Sequence, residues 1–151
     1  MKLDWKVIIG GGLLMYIAQF IVSMGLGGVI HEGVLDSAYM ATAEFWRPEL
    51  NQDPPDMAAM MPRWITTGLL AAFILAGIFD NIRSAFNGGG MLQGFKFGLM
   101  IAVIYALFGA AYSGVFNLPD TIWFWWAVEG FIIYPLGGIV LGWFAGKFAN
   151  E

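Results

Sequence analysis

The chain has no cysteine and a single histidine. Without thiols there is no disulfide, thiolate metal site, iron–sulfur cluster or thiol nucleophile. One histidine, His31, cannot by itself give a haem two axial imidazoles. Charge is scarce as well: Asp, Glu, Lys and Arg make up 12% of the 151 residues, against about 25% in a soluble domain. Catalytic and nucleotide-binding signatures are missing too. No G-K-[ST] follows Gly10, Gly11 and Gly12, which lie in an apolar run and bind no phosphate, and no H-E-x-x-H or triad pattern occurs. The nine methionines include Met57, Met60 and Met61, and thioethers suit Cu(I). Their irregular spacing, with no histidine pair beside them, reads instead as apolar packing. The expectation is a protein that is not an enzyme, holds no metal and needs no cofactor of its own.

What the chain has is apolar sequence, 59% of all residues, concentrated in four runs at 7–30, 64–79, 97–116 and 122–146. A helix rises about 1.5 Å per residue, so roughly 20 residues cross a hydrocarbon core about 30 Å thick. Three runs reach that length, and the second reaches it by continuing through Asp80 to Phe86. The runs are apolar all round, unlike the striped helices of soluble bundles. They predict an all-α integral membrane four-helix bundle, one membrane domain over 1–151. Its helices lie at about 7–30, 64–86, 94–116 and 121–147, with a long outer loop at 31–63. Lys2 and Lys6 ahead of the first run resemble a signal peptide. The run is longer than a signal core, no A-x-A-like site follows, and Asp4 breaks the positive charge, so a retained helix is expected.

Basic residues set the orientation. Lys2, Lys6, Arg83, Lys96 and Lys147 fall on one side of four spans, and Arg47 and Arg63 on the other, which puts both termini in the cytoplasm. The 31–63 loop, carrying six acidic residues, then lies outside. Trp46, Trp64, Trp123, Trp125 and Trp126 mark the outer interface, Trp5 and Trp143 the inner one. Residues 37–46 suit a short helix on the outer surface, or a packed lid over the bundle, before Pro48, Pro54 and Pro55 enforce extended chain. Asn87, Gly88, Gly89 and Gly90 form one turn and residues 117–120 another, with Asp120 as N-cap of helix 4. Helices 2, 3 and 4 are therefore expected to pack as sequential neighbours.

Lipid gives helices no hydrophobic reason to meet, so small residues must let them approach closely. Gly94 and Gly98 on helix 3, and Gly138, Gly142 and Gly146 on helix 4, stand four apart on one face each. Helix 2 offers Gly68, Ala72 and Ala76. These strips serve contacts within the bundle or with a second protein, and Pro135 should kink helix 4 and free the Phe131 carbonyl. On helix 1, Gly12, Tyr16, Gln19, Ser23, Gly27 and His31 share a face that should point into protein. That face reads as interhelical hydrogen bonds, or as a polar path or cofactor edge leading to His31.

Glu129 is the leading candidate functional residue. It lies about two turns into helix 4, roughly 12 Å from its start, where a charged carboxylate costs a few kcal/mol even on lenient insertion scales. It must be neutral, hydrogen-bonded or paired with a cation. Partners at its depth are Gln19, Ser23, Tyr105 or Tyr112, and Thr66 or Thr67; no Lys or Arg is among them. A hydrogen-bonded carboxyl is the leading expectation, and a proton or cation site or a contact to a partner the alternatives. Asp80 and Arg83, three apart on one helix face, should pair at the inner interface, with Lys96 able to join. His31, at the end of helix 1, reads as a capping or hydrogen-bonding residue, and more weakly as a haem or chlorophyll ligand or a charge switch.

The arrangement resembles a diffuse group of uncharacterised four-span bacterial inner-membrane proteins. The residues that carry the likeness are Gly94-Phe-Lys-Phe-Gly98, residues 117–120, and Gly137-Gly-Ile-Val-Leu-Gly142. It implies a bacterial inner-membrane location and no activity. Function is expected to be that of an accessory or structural subunit of a larger complex, or of a homo-oligomer, touching lipids and other membrane subunits or itself, and no nucleic acid. The alternatives are a small proton- or solute-translocating protein using Glu129, and a subunit edging a pigment, quinone or haem with His31, Tyr16 or the tryptophans of 123–126.

Overall fold

The computed structural model describes residues 3–149; Lys2, counted above among the basic residues, lies outside them. The described residues are all-helical, with no strand among them. Helix α1 runs Lys6–Val34, opening and closing on wider π turns at Lys6–Gly11 and Ile30–Val34. A short α2, Asp36–Ala41, and two 3₁₀ turns at Ala43–Phe45 and Pro48–Asn51 make the connection. Helix α3 is Met57–Ile82, prolonged by a 3₁₀ turn at Arg83–Ala85; α4 is Gly90–Ser113 and α5 is Asp120–Phe148. Four of these helical stretches, of 29, 29, 24 and 29 residues, are long and apolar enough to cross a membrane. Large apolar side chains stand exposed along them, among them Ile21, Leu70, Leu107 and Phe124, as suits helices whose outer faces meet hydrocarbon.

Several boundaries differ from the sequence reading, each for a local reason. Helix α1 runs four residues past 30, so His31 is a helical residue and not the start of a loop. Helix α3 begins at Met57, seven residues before 64, because the Asp56 side chain accepts the Ala59 N–H and caps a new start. Helix α4 begins at Gly90 because the turn before it needs only Gly88 at positive φ, 110°. It ends at Ser113, with Val115 and Phe116 N–H groups folding back on the Tyr112 carbonyl. Asp120 is the first residue of α5 rather than its cap; Pro119 holds the cap position and no side chain caps it. Pro48 opens a 3₁₀ turn instead of extended chain. Helix α5 runs through Pro135 without a break.

Glycine contacts fix how the long helices pair. On α4 and α5, Gly90 lies against the Gly142 backbone, Gly94 against Gly138 and Gly142, and Gly98 against Tyr134 and Pro135. A methyl group on Gly94, Gly138 or Gly142 would overlap a carbonyl oxygen of the facing helix. The strip is thus an internal seam between antiparallel helices, with Gly146 at its looser end, 3.6 Å from the Gly90 Cα were it to carry a Cβ. Helix α1 descends between two neighbours: Gly10 and Gly11 meet Phe144 and Leu141 of α5, while Gly12 meets Ala72 and Phe73 of α3. Further along, Gly68 of α3 meets Tyr16 and Gly137 of α5 meets Gln19.

The lateral order is therefore α3, α1, α5, α4, which corrects the expectation that helices 2, 3 and 4 pack in sequence. Helices α3 and α4 are joined by a short turn yet share few contacts, because α3 rests its small residues Gly68, Ala72 and Ala76 on α1. They touch where Phe79 and Phe97, both fully buried, meet as tilted rings 5.2 Å apart near the chain termini. Above that contact they part. At the opposite end Leu35 plugs in beside Ile30 and Ile122, with Tyr39, Trp46, Trp125 and Trp126 around them. The α2 segment is thus a packed lid.

Substituting Gly94→Ala should destabilise the fold by about 1–3 kcal/mol or more, the cost of forcing volume into a packed contact. Gly25→Ala and Gly27→Ala, whose added methyls meet nothing within 4 Å, should change it by less than about 0.5 kcal/mol. Unfolding in mixed detergent micelles, followed by circular dichroism, measures both.

Candidate functional site

Glu129 sits where α5 faces α1 beneath the lid, its side chain 13% exposed. Ser23 donates to Oε1 at 3.3 Å, and His31 Nε2 lies 3.2 Å from Oε2. Helical side chains lean toward the N-terminus of their own helix. Helices α1 and α5 are antiparallel, so His31 and Glu129 lean toward each other along the axis. The π turn at Ile30–Val34 carries the ring on past Ser23 while keeping it on the same face. Sequence reasoning gave Glu129 and Ser23 as partners and treated His31 apart; the structure joins all three.

The chain continues upward. His31 Nδ1 lies 2.7 Å from the Tyr39 hydroxyl, which also receives the Trp126 indole N–H at 2.8 Å. Indole can only donate, so the Tyr39 oxygen accepts there and turns its own proton to His31 Nδ1. A neutral ring then carries its proton on Nε2 and donates it to Glu129, a tautomer assigned from the network. The ordered series is Trp126 to Tyr39 to His31 to Glu129, with Ser23 completing the carboxylate's shell. Burial pushes the Tyr39 hydroxyl above the ordinary tyrosine range; the Trp126 hydrogen bond pulls it back, and the nearby Glu129 charge adds to the rise. The phenol therefore stays protonated, and able to donate, throughout neutral pH. The ring of Trp46 stands edge-on to Tyr39 at 5.1 Å, and its N–H is tied to Thr42.

Below the carboxylate opens a cleft of about 310 Å³. Tyr16, Gln19 and Ser23 of α1 and Glu129 and Tyr134 of α5 form its floor; Trp64 of α3 and Tyr105 of α4 stand at its mouth. It lies where α3 and α4 part. The hydroxyls of Tyr16, Tyr105 and Tyr134 have no hydrogen-bond partner among the described residues. Gln19 Nε2 is buried without one, held against Gly137. No group of three or more His, Cys, Asp or Glu that could hold a metal occurs among the described residues.

Other expected site residues fall elsewhere. Tyr112 does not reach Glu129. It is half-exposed beside a separate pocket of about 190 Å³ between α4 and α5, with Trp123, whose buried indole N–H has no partner. Thr66 and Thr67 bond back to the Pro62 and Arg63 carbonyls of their own helix. Asp80 and Arg83 pair at 3.4 Å, and Arg83 also reaches the Ala145 carbonyl of α5. Lys96 does not join them; it donates to the Asn87 carbonyl and closes the turn before α4. Tyr39 and Tyr134 were not singled out from sequence, and Trp64 and Trp126 were read as interface markers, with the 123–126 tryptophans also as a candidate cofactor contact, not as neighbours of Glu129. Trp126 had a usable signal, three residues before Glu129 on the same helix face. Tyr39 had none, since the lid's docking is tertiary.

Because the chain has one histidine, ¹⁵N NMR of imidazole-labelled protein reads His31 directly. At a pH where the ring is neutral, the Nε2–H tautomer should dominate, and Tyr39→Phe should remove the Nδ1 hydrogen bond. That substitution also strands the Trp126 N–H and should cost about 1–3 kcal/mol of stability. Alkaline titration by ultraviolet difference against Tyr39→Phe should place the Tyr39 phenol above free tyrosine.

Comparison with family models, curated proteins and solved structures gives no match; the likeness to four-span bacterial proteins rests on small-residue spacing alone.

Proposed function

We propose that this chain is a multi-pass protein of the bacterial inner membrane that takes up and passes protons through the Glu129–His31 pair. The observation that carries this reading is one hydrogen-bonded series from the lid to a carboxyl inside an apolar helix, ending at an open cleft. Ionisable groups at such depth are costly and tend to mark ion or proton pathways. Each member of the series can pass a proton on. The Nε2 proton moves to Glu129, the Tyr39 hydroxyl proton replaces it on Nδ1, and water at the lid restores Tyr39. His31, 34% exposed, stands between that water and the buried carboxyl. Lys6, Arg83, Lys96 and Lys147 gather at the end away from the lid, which supports cytoplasmic termini and an outer lid.

A second reading, an accessory or structural subunit of a larger assembly or of a homo-oligomer, is favoured by Trp123. Trp123 lines the pocket between α4 and α5 and its buried indole N–H has no partner; an acceptor brought into that pocket by another subunit would satisfy it. In that case Trp123→Phe should weaken co-purification with partners or self-association in mild detergent, and leave proton flux intact.

The proton reading is tested in liposomes with an entrapped pH dye and an imposed gradient. Glu129→Gln keeps the shape of the side chain and one of its two acceptor oxygens but cannot exchange a proton, and should lower flux at least tenfold. Flux equal to wild type in a folded Glu129→Gln protein would defeat it.

A further inference from the structure

The cleft beneath Glu129 has a chemistry of its own. Its polar floor holds one carboxyl, and none of the residues lining it is Lys or Arg. The groups facing the carboxyl are Ser23 and His31 from α1, Tyr39 from the lid, Tyr105 from α4 and Tyr134 on α5 itself. The serine and the phenols are uncharged, and His31 is a cation only when it carries a second proton. The remaining lining is mostly aromatic and small, with Leu75 and Ile133 the aliphatic exceptions: Tyr16 and Phe20 pack together, Tyr105 and Tyr134 pack together, and Trp64 joins them from α3.

Aromatic faces around a carboxylate, with no competing cation, are what a cationic ligand requires. An anionic headgroup would meet Glu129 without a counter-charge. A neutral apolar chain would leave three phenols without partners, and a carboxylate without a counter-charge, in a medium that offers little water. The cleft opens sideways between α3 and α4, which touch at Phe79 and Phe97 and part beyond, so a ligand dissolved in the hydrocarbon reaches it without crossing the lid. Its volume, about 310 Å³, is at the small end of ligand pockets, which run from about 300 to 1,000 Å³.

We propose that this cleft binds a lipophilic organic cation, an aryl-alkyl ammonium of small size, in exchange for the proton on Glu129. The inference rests on the proton reading and adds the substrate class. The exchange balances in charge. Beside a protonated carboxyl the ring carries its proton on Nδ1: the carboxyl gives its proton to Nε2 as Nδ1 passes one to Tyr39 and Tyr39 one to water at the lid, and the carboxylate left behind pairs with one ammonium. Proton and cation compete for a single negative charge, so a gradient of one can drive movement of the other.

Benzyltrimethylammonium and its uncharged carbon isostere neopentylbenzene differ in charge and hardly in shape, and are the probes. Radiolabelled ammonium should bind the protein in nanodiscs, release about one proton per cation into weakly buffered solution, and bind more tightly as pH rises. Neopentylbenzene in equal amount should not displace it. Glu129→Gln should lose binding at least tenfold, and Trp64→Ala should weaken it roughly three- to thirtyfold. Displacement by the neutral isostere, or binding unchanged in Glu129→Gln, would overturn the proposal and make the cleft an apolar lipid site. Should Glu129→Gln not fold, wild-type protein decides alone, since saturation without proton release at any pH overturns it equally. A lack of cation binding beside intact Glu129-dependent proton flux rejects the ligand and spares the proton reading.

Discussion

Glycine contacts on two sides of α5 set the geometry on which everything else depends. Gly138 and Gly142 press on α4, and Gly137, one residue from Gly138, presses on Gln19 of α1. In lipid there is no hydrophobic drive to hold helices together, so contacts of this kind supply the packing that water would otherwise enforce. They also fix register, because a backbone that must nest a carbonyl oxygen against a facing glycine cannot slide by a residue without collision. The depth of Glu129 relative to Ser23 and His31 follows from the α1 side of α5, where Gly137 meets the Gln19 side chain and Gly10 and Gly11 meet Phe144 and Leu141. A slip of one residue along α1 would displace the histidine by about 1.5 Å, enough to break a 3.2 Å contact.

The polar series shows how an apolar protein can carry ionisable groups. Each donor has an acceptor in order: indole to phenol, phenol to imidazole, imidazole and hydroxyl to carboxylate. The lid closes this order, since Tyr39 lies outside the long helices and meets His31 through the docking of Leu35 against Ile30 and Ile122. Aromatic mass around it, from Trp46 and Trp126, excludes water from one flank, while His31 stays partly open on the other.

Much of the architecture was legible in sequence because hydropathy over twenty residues is a strong signal. The four long apolar helices, the seam residues and the place of Glu129 within an apolar helix came from run length and spacing of four. Ends were less legible. A π turn has no compositional mark, so α1 was stopped at 30 and His31 was assigned to a loop, although eight-residue spacing already put it on the face of Ser23. The Asp56 cap was missed because Pro62 follows it, and prolines read as breakers even near a helix start. Helix order was not legible at all. Short turns suggested neighbours in sequence, whereas small residues on α3 found better complements on α1 than on α4. The cleft follows from that order, and so was out of reach from sequence.

Helix α3 packs firmly on α1 alone, and it gives no residue to the hydrogen-bonded series; neither does α4. Ser23, His31, Tyr39, Trp126 and Glu129 all belong to α1, the lid and α5. The molecule is thus built in two parts: a frame of α1, the lid and α5 that holds the hydrogen-bonded series, and an outlying helix that rests on α1 and walls the cleft. A change in how α3 rests on α1 would therefore reshape the mouth of the cleft without breaking any bond of the series.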